Sequence, residues 1–225
     1  IEYMKRRRVL SVLITTSVAR VLLFLAIVDS AQKLDRYEAS SSAPAVVNIE
    51  GIHTKLAKLE VKGRAPKTGY SRDQFGGGWA KIQGCSTRDI ILYRDLTNVV
   101  LDDECRVTSG VLHDPYTGET ISFSNHTASE VQIDHVVALS DAWQKGAQQL
   151  SVEERKQLAN DPLELLAVEG AANQTKGDGD AATWLPKNKA FRCEYIERQV
   201  DVKIKYALWV TEAEKQAMER VLATC

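Results

Sequence analysis

The order of four segments in the second half of the chain constrains its fold more than any other feature. A β-branched run, Val131 to Val137, reads as a strand and carries Asp134-His135 near its end. Ala138 to Gln149 has helical character. Ser151-Val152-Glu153-Glu154 fits a capping box that opens a further helix, ending near Asn160-Asp161-Pro162. Leu163 to Val168 is a short apolar strand. Ala171 to Lys176 opens a helix that carries Asn173-Gln174-Thr175-Lys176 and stops at the Gly177-Asp178-Gly179-Asp180 turn. Strand, connector, strand and helix in this order bring an Asp-His pair and an Asn-x-x-Lys segment toward one place.

The flanking segments suit an α+β fold with a small β-rich front and a helical back. Arg106 to Leu112 and Thr120 to Phe123 read as strands joined by the turn residues His113-Asp114-Pro115-Tyr116-Thr117-Gly118. Arg88 to Leu96 reads as a helix. Asn188 to about Trp209 is expected to form one long helix, and Thr211-Glu212-Ala213-Glu214 to cap a last one. Phe75-Gly76-Gly77-Gly78-Trp79 lacks the spacing and the terminal Lys-Ser/Thr of a phosphate loop, so it reads as a flexible turn anchored by two aromatics.

The chain has 225 residues, of which 44% are hydrophobic and 26% charged, as in a globular protein. Its formal net charge is −1. The first 28 residues contain five basic residues and one acidic one. The remainder has 24 basic against 29 acidic side chains, a net of −5. A mildly acidic body excludes binding of nucleic acid through a broad basic surface. Lys5 to Arg8 precede an apolar run, Val9 to Val28, that is interrupted by Arg20. That make-up is expected of an export signal over residues 1–30, with an N-terminal membrane anchor as the alternative. Val28-Asp29-Ser30 before Ala31 is the best small-residue cleavage match. Residues 31–58 are expected to be a linker centred on Ser40-Ser41-Ser42-Ala43-Pro44, with a short helix in His53 to Val61. Residues 59–225 are expected to be the folded domain.

Cysteine usage agrees with export to an oxidising compartment. Cys85, Cys105, Cys193 and Cys225 include no C-x-x-C pair, which argues against a zinc ribbon. Pairing neighbours in sequence gives Cys85–Cys105 and Cys193–Cys225. Each bridge is worth on the order of 3 kcal/mol.

The chemistry follows from donor types. Asp and Asn offer hard oxygens that suit Mg²⁺, and His offers a base that titrates near neutral pH. Neighbouring residues in a regular strand point to opposite faces. Asp134 and His135 are therefore expected to share a site where the strand ends and the backbone turns.

With these residues in order, the chain resembles the HNH (ββα-metal, His-Me finger) endonucleases. More narrowly, it is similar to the exported HNH family of Gram-positive bacteria and to the nuclease domain of modification-dependent restriction enzymes. The likeness rests on Gly69-Tyr70-Ser71-Arg72, Asp114-Pro115-Tyr116-Thr117-Gly118, Ile133-Asp134-His135-Val136-Val137, Ala159-Asn160-Asp161-Pro162, Asn173 to Asp178 and Trp184-Leu185-Pro186. The resemblance implies a ββα-metal core with added helices and a β-hairpin. It makes Asp134 and Asn173 ligands of Mg²⁺ (or Mn²⁺) and His135 the general base. It places Lys176 where it meets a substrate phosphate. Glu164 stands where the pattern has a middle Asn; Glu accepts hydrogen bonds from loop amides but does not donate as an amide does.

Trp184, Lys187 and Lys189, with Arg192, are further candidates for substrate contact, against plain packing and an exposed helix start. His113 and His126 read as turn and surface residues. Asp141 is weighed as a partner orienting the site, and Asp178 and Asp180 as a solvated loop or a Ca²⁺ turn. The expected activity is that of an exported, metal-dependent, monomeric endonuclease acting on DNA with little sequence preference, with no obligate protein partner. The alternatives are an RNase or other phosphodiesterase, and a cell-surface binding protein with a decayed site.

Overall fold

The computed structural model describes residues 20–22, 24–29, 31–35 and 49–225. Lys5 to Arg8, the apolar residues up to position 19 and the serine-rich linker centre lie outside the described residues. Residues 20–22, 24–29 and 31–35 are helical, with Leu34 buried and Val21, Leu22, Phe24 and Leu25 exposed. Among the described residues no helix is long and apolar enough to cross a membrane. The stretch expected to be linker includes helix α1 (Ile49–Lys58), which buries Ile52 and Leu56 in the domain core.

Three small sheets form the β part. Strands β1 (Lys81–Ile82) and β2 (Cys85–Ser86) pair antiparallel and lead into helix α2 (Thr87–Asp95), N-capped by Ser86 Oγ, which accepts from Asp89 N–H. A three-stranded antiparallel sheet follows: β3 (Leu96–Leu101), β4 (Val107–His113) and β5 (Thr120–Ser124). The hairpin between β4 and β5 is as expected. Strand β3 has no counterpart in the sequence reading. The third sheet is the antiparallel pair β6 (Val131–His135) and β7 (Leu165–Glu169), in register from Val131–Glu169 to His135–Leu165.

Between β6 and β7 run α3 (Leu139–Gln144), a 3₁₀ turn (Ala147–Gln149) and α4 (Val152–Ala159). The expected continuous helix breaks at Gly146, whose φ of 127° only glycine adopts readily. The capping boxes at Ser151 and Thr211 form as read. Helix α5 (Gly170–Lys176) follows β7 directly. The expected long helix from Asn188 to Trp209 is shorter: a 3₁₀ turn (Lys189–Phe191) leads into α6 (Arg192–Lys205), and Ala207, with φ 50°, ends the helical path. Helix α7 (Glu212–Leu222) closes the fold. Both expected disulfides are present, with Cα separations of 5.4 Å for Cys85–Cys105 and 5.9 Å for Cys193–Cys225.

The β6–β7 ribbon divides two hydrophobic cores. Val131, Ile133, Leu165 and Ala167 face the core built on α2 and the three-stranded sheet. Leu166 and Val168 face the larger core of α1, α3, α6 and α7. Period-two alternation along both strands produces this partition.

A buried ionic cluster ties the helical side together. Lys145 Nζ lies 2.8 Å from Asp141, 2.7 Å from Asp180 and 2.6 Å from Glu214. Arg64 reaches Asp141 and Asp180, and Lys203 lies 3.0 Å from Glu214. Three cations and three carboxylates balance, which a buried cluster requires.

Candidate active site

Helix α5 lies on the face of β6 that carries Gln132 and Asp134. Gly170 at its start permits the close approach, because a Cβ there would stand 2.1 Å from the Ser129 carbonyl oxygen. One helical turn apart, Asn173 and Lys176 both point to the strand. Asn173 Nδ2 donates to Gln132 Oε1 at 3.0 Å. Lys176 Nζ stands 2.9 Å from both Asp134 carboxylate oxygens and donates to the His135 carbonyl at 2.7 Å. Tyr116, from the β4–β5 turn, donates its hydroxyl to Asp134 Oδ2 at 2.5 Å. Burial first, and the Asp134 charge second, push the Tyr116 phenol well above its ordinary pKa, so it remains a donor. Asp134 is only 5% exposed and Lys176 3%.

His135 leaves β6 on the opposite face. The strand does not turn before it, since His135 pairs with Leu165 and Val136 N–H still donates to the Glu164 carbonyl. The expected shared turn is thus replaced by regular alternation. The imidazole Nε2 lies 3.0 Å from the Ala159 carbonyl oxygen. A carbonyl only accepts, so Nε2 carries the proton and Nδ1 is the basic nitrogen. Burial pushes the imidazole pKa down to about 3; the Ala159 carbonyl opposes this, and the charges of Arg72 and Lys176 add to it. The ring lies parallel to Trp79, with centroids 5.9 Å apart and planes at 6°. His135 lines a cavity of about 320 Å³ together with Arg72, Asp73, Leu139 and the Gly76–Trp79 loop.

Glu164 takes the place of the expected middle Asn and holds the loop after His135. Its Oε2 accepts from Val137 N–H at 3.1 Å, while its fully buried Oε1 has no protein partner. Burial drives this carboxyl well above the ordinary range. The Val137 bond and Lys176 oppose that shift, and Asp134 and Asp161 reinforce it. As expected of a Glu at this position, Glu164 accepts a hydrogen bond from a loop amide.

The other candidates fall elsewhere. Trp184 packs edge-on to Tyr116 and Tyr195, at centroid distances of 4.9 and 5.8 Å. Lys189 lines a 460 Å³ cavity with Arg192 and Arg220, and Lys187 is exposed. His113 and His126 are exposed. Asp141 serves the Lys145 cluster rather than His135. Asp180 belongs to the same cluster, so the solvated-loop reading holds only for Asp178, which is exposed and pairs with Lys67 at 3.1 Å.

Two residues at the His135 cavity were not singled out from sequence. Arg72 is exposed and has no ion-pair or hydrogen-bond partner among the described residues, although it lines that cavity. Trp79 covers the imidazole. A cation and two aromatics flanking a glycine run were the available signal, but about 60 residues separate them from His135.

The donor set fits a Mg²⁺ or Mn²⁺ ion sparingly. Among the described residues, no three His, Cys, Asp or Glu side chains cluster as ligands. The Asp134 carboxylate and the Asn173 side chain both lie between α5 and β6, and the Asn173 oxygen accepts no hydrogen bond among the described residues. Mg²⁺ commonly takes one or two protein oxygens and fills its shell with waters and substrate phosphate. Lys176 now holds the carboxylate that such an ion would need.

Comparison with known proteins adds a family. Residues 87–221 match the family model described as GmrSD restriction endonucleases, C-terminal domain. An "Uncharacterized secreted protein" of Arthroderma benhamiae is 38% identical over 205 residues, covering 90% of this chain and 98% of that protein. No solved structure matches. Neither comparison speaks to the HNH type or to a Gram-positive source. The matched segment contains β6, β7 and α5, and with them Asp134, His135, Glu164, Asn173 and Lys176; the chain belongs to the GmrSD restriction endonuclease C-terminal domain family.

Proposed function

We propose that this protein is a secreted, metal-dependent endonuclease of the ββα-metal (HNH) type that hydrolyses DNA phosphodiester bonds with little sequence preference. One observation carries the reading: within the matched segment, α5 delivers Asn173 and Lys176 to the β6 face bearing Asp134, one residue from a neutral, buried His135. Secretion is supported by the relative's printed name and by the two disulfides.

Asp134 and Asn173 are the residues that would hold the ion, which when bound supplies positive charge to the phosphate and the leaving oxygen. His135 Nδ1 takes the proton of the attacking water, while the Ala159 carbonyl holds the ring through Nε2. Arg72, unpaired at the same cavity, binds the phosphate bidentately. Lys176 bonds a substrate phosphate once it leaves Asp134. Glu164 keeps the backbone after His135 in place through Val137 N–H. Asp134 is covered by Lys176, and His135 lies on the opposite face of β6, so for the ion and the base to act on one phosphate the end of β6 turns and Lys176 leaves Asp134.

The test is cleavage of supercoiled plasmid and of structured RNA by purified protein, with and without EDTA, beside His135→Ala. Plasmid nicking that needs a divalent ion and disappears in the variant is expected. Cleavage that survives both EDTA and His135→Ala refutes the mechanism. Cleavage of RNA alone reassigns the substrate, and inactivity on both substrates refutes the nuclease reading.

A further inference from the structure

Beside the His135 cavity lies a larger one, of about 720 Å³, and the Gly76–Trp79 loop forms a wall of both. The two spaces are therefore neighbours separated by a strip of chain that bears no side chain for three residues. Gly76 and Gly78 have φ of 95° and 141°, and a Cβ at Gly77 or Gly78 would meet nothing within 4 Å. The Trp79 indole stacks on His135 and lines both cavities.

The chemistry of the two spaces differs. The His135 cavity holds the Arg72 guanidinium, which is unpaired among the described residues and can take a phosphate, with Asp73 also on its wall. The larger cavity is balanced in charge: Lys205 pairs with Asp161 at 2.6 Å and Lys156 lies 3.8 Å from Glu153. Its remaining surface includes the Trp79 and Tyr206 rings. A space of this size whose charges are paired and whose wall includes the Trp79 indole suits a flat heteroaromatic group with polar edges rather than an anion.

We propose that the larger cavity is a subsite for a nucleobase, so that the enzyme takes a nucleotide whose base is unpaired and seated against Trp79 while the adjoining phosphate lies at Arg72 and His135. This rests on the nuclease reading above and narrows its substrate to single-stranded, frayed or flipped nucleic acid. In a continuous duplex both faces of a base are covered by its neighbours, and the base must be unstacked before it meets an indole. Every base has a π-face, so stacking of this kind carries little sequence preference.

The experiment measures binding apart from cleavage. The full chain is titrated in EDTA into labelled oligothymidylate and into a blunt duplex of equal length, with anisotropy as the readout. Wild type is compared with Trp79→Ala and Trp79→Phe, each first shown to melt as wild type does. A single strand carrying 2-aminopurine adds a stacking signal through quenching of the base. The expected result is tighter binding of the single strand, a loss of roughly 5- to 150-fold in Trp79→Ala, recovery of most of it in Trp79→Phe, and quenching that Trp79→Ala abolishes. Equal binding of duplex and single strand, or single-strand affinity and quenching unchanged in Trp79→Ala, overturns the subsite. If Trp79→Ala cuts single strands with unchanged KM, the subsite fails and the nuclease stands. If wild type binds through Trp79 and cuts nothing with a divalent ion supplied, the subsite stands and the nuclease fails.

Discussion

Replacing Lys176 with Met tests the buried Lys176–Asp134 pair between α5 and β6 most directly. The Lys176 side chain is fully buried, and it faces both oxygens of an Asp134 carboxylate that is itself only 6% exposed. The Tyr116 hydroxyl remains on Asp134 in the variant, but the compensating charge is lost. Breaking a buried pair by removing one partner costs about 3–5 kcal/mol, because a charge is left without its counterion. A protein of this size shifts in Tm by about 2–4 °C per kcal/mol, so Lys176→Met is expected to melt roughly 6–20 °C lower in EDTA. Adding Asp134→Asn removes the stranded charge and is expected to recover most of that loss. Mg²⁺ supplies the second check. With the ammonium gone, Asp134 and Asn173 are open to a cation, and an ion at ten times its Kd stabilises by about 1.4 kcal/mol. Lys176→Met is therefore expected to gain roughly 3–6 °C in Mg²⁺, and the double variant none. Differential scanning fluorimetry across a Mg²⁺ titration reads wild type and both variants, with and without the ion. A single variant within about 2 °C of wild type in EDTA refutes the electrostatic argument. A double variant as unstable as the single one shows that lost packing is responsible.

Two further outcomes follow from the geometry. Gly170→Ala drives a Cβ into the Ser129 carbonyl and is expected to push α5 from β6, costing about 1–3 kcal/mol and most of the cleavage activity. Gly63→Ala, with nothing within 4 Å, is expected to stay within about 0.5 kcal/mol of wild type; equal urea midpoints for the two variants would contradict the packing account. Asp180 has its pKa lowered from the ordinary 3.8 to about 2; burial opposes this, but the Lys145 bond and charge and the Arg64 charge outweigh it. A depressed carboxylate stabilises above its unfolded pKa, and that contribution is lost as pH falls from about 4 through 2. After discounting for solvent screening it amounts to about 1–2 kcal/mol, so the stability gap between wild type and Asp180→Asn is expected to shrink by that amount across this window in urea unfolding curves.

Local chemistry made much of the fold legible. The capping boxes at Ser151 and Thr211, the β4–β5 turn and both disulfides follow from short-range residue patterns, and each forms as read. The order of β6, β7 and α5 follows from β-branched content and helix punctuation. Other features depend on tertiary context. Strand β3 has a mixed sequence, Leu-Thr-Asn-Val-Val-Leu, and is settled by its pairing with β4. The end of α6 is set by the left-handed turn at Ala207, a residue type that gives no warning of it. Asp180 reads as a loop residue until Lys145 and Arg64 arrive from distant segments. Arg72 and Trp79 are invisible as site residues for the same reason, since nothing short of the folded chain brings them to His135. The opposite facing of Asp134 and His135 follows from one extra residue of regular pairing, a shift smaller than strand-end prediction resolves.

The six-membered ionic cluster also bears on how the molecule assembles. Its contacts span 35 residues for Lys145–Asp180, 69 for Lys145–Glu214 and 116 for Arg64–Asp180. A subset with unequal numbers of cations and carboxylates buries an uncompensated charge, which is costly. Long-range loop closure already slows such folding. The cluster thus joins the segment after α1, which carries Arg64, to the turn after α5 and to helix α7. A chain cut before helix α7 lacks Glu214 and leaves the cluster with three cations against two carboxylates.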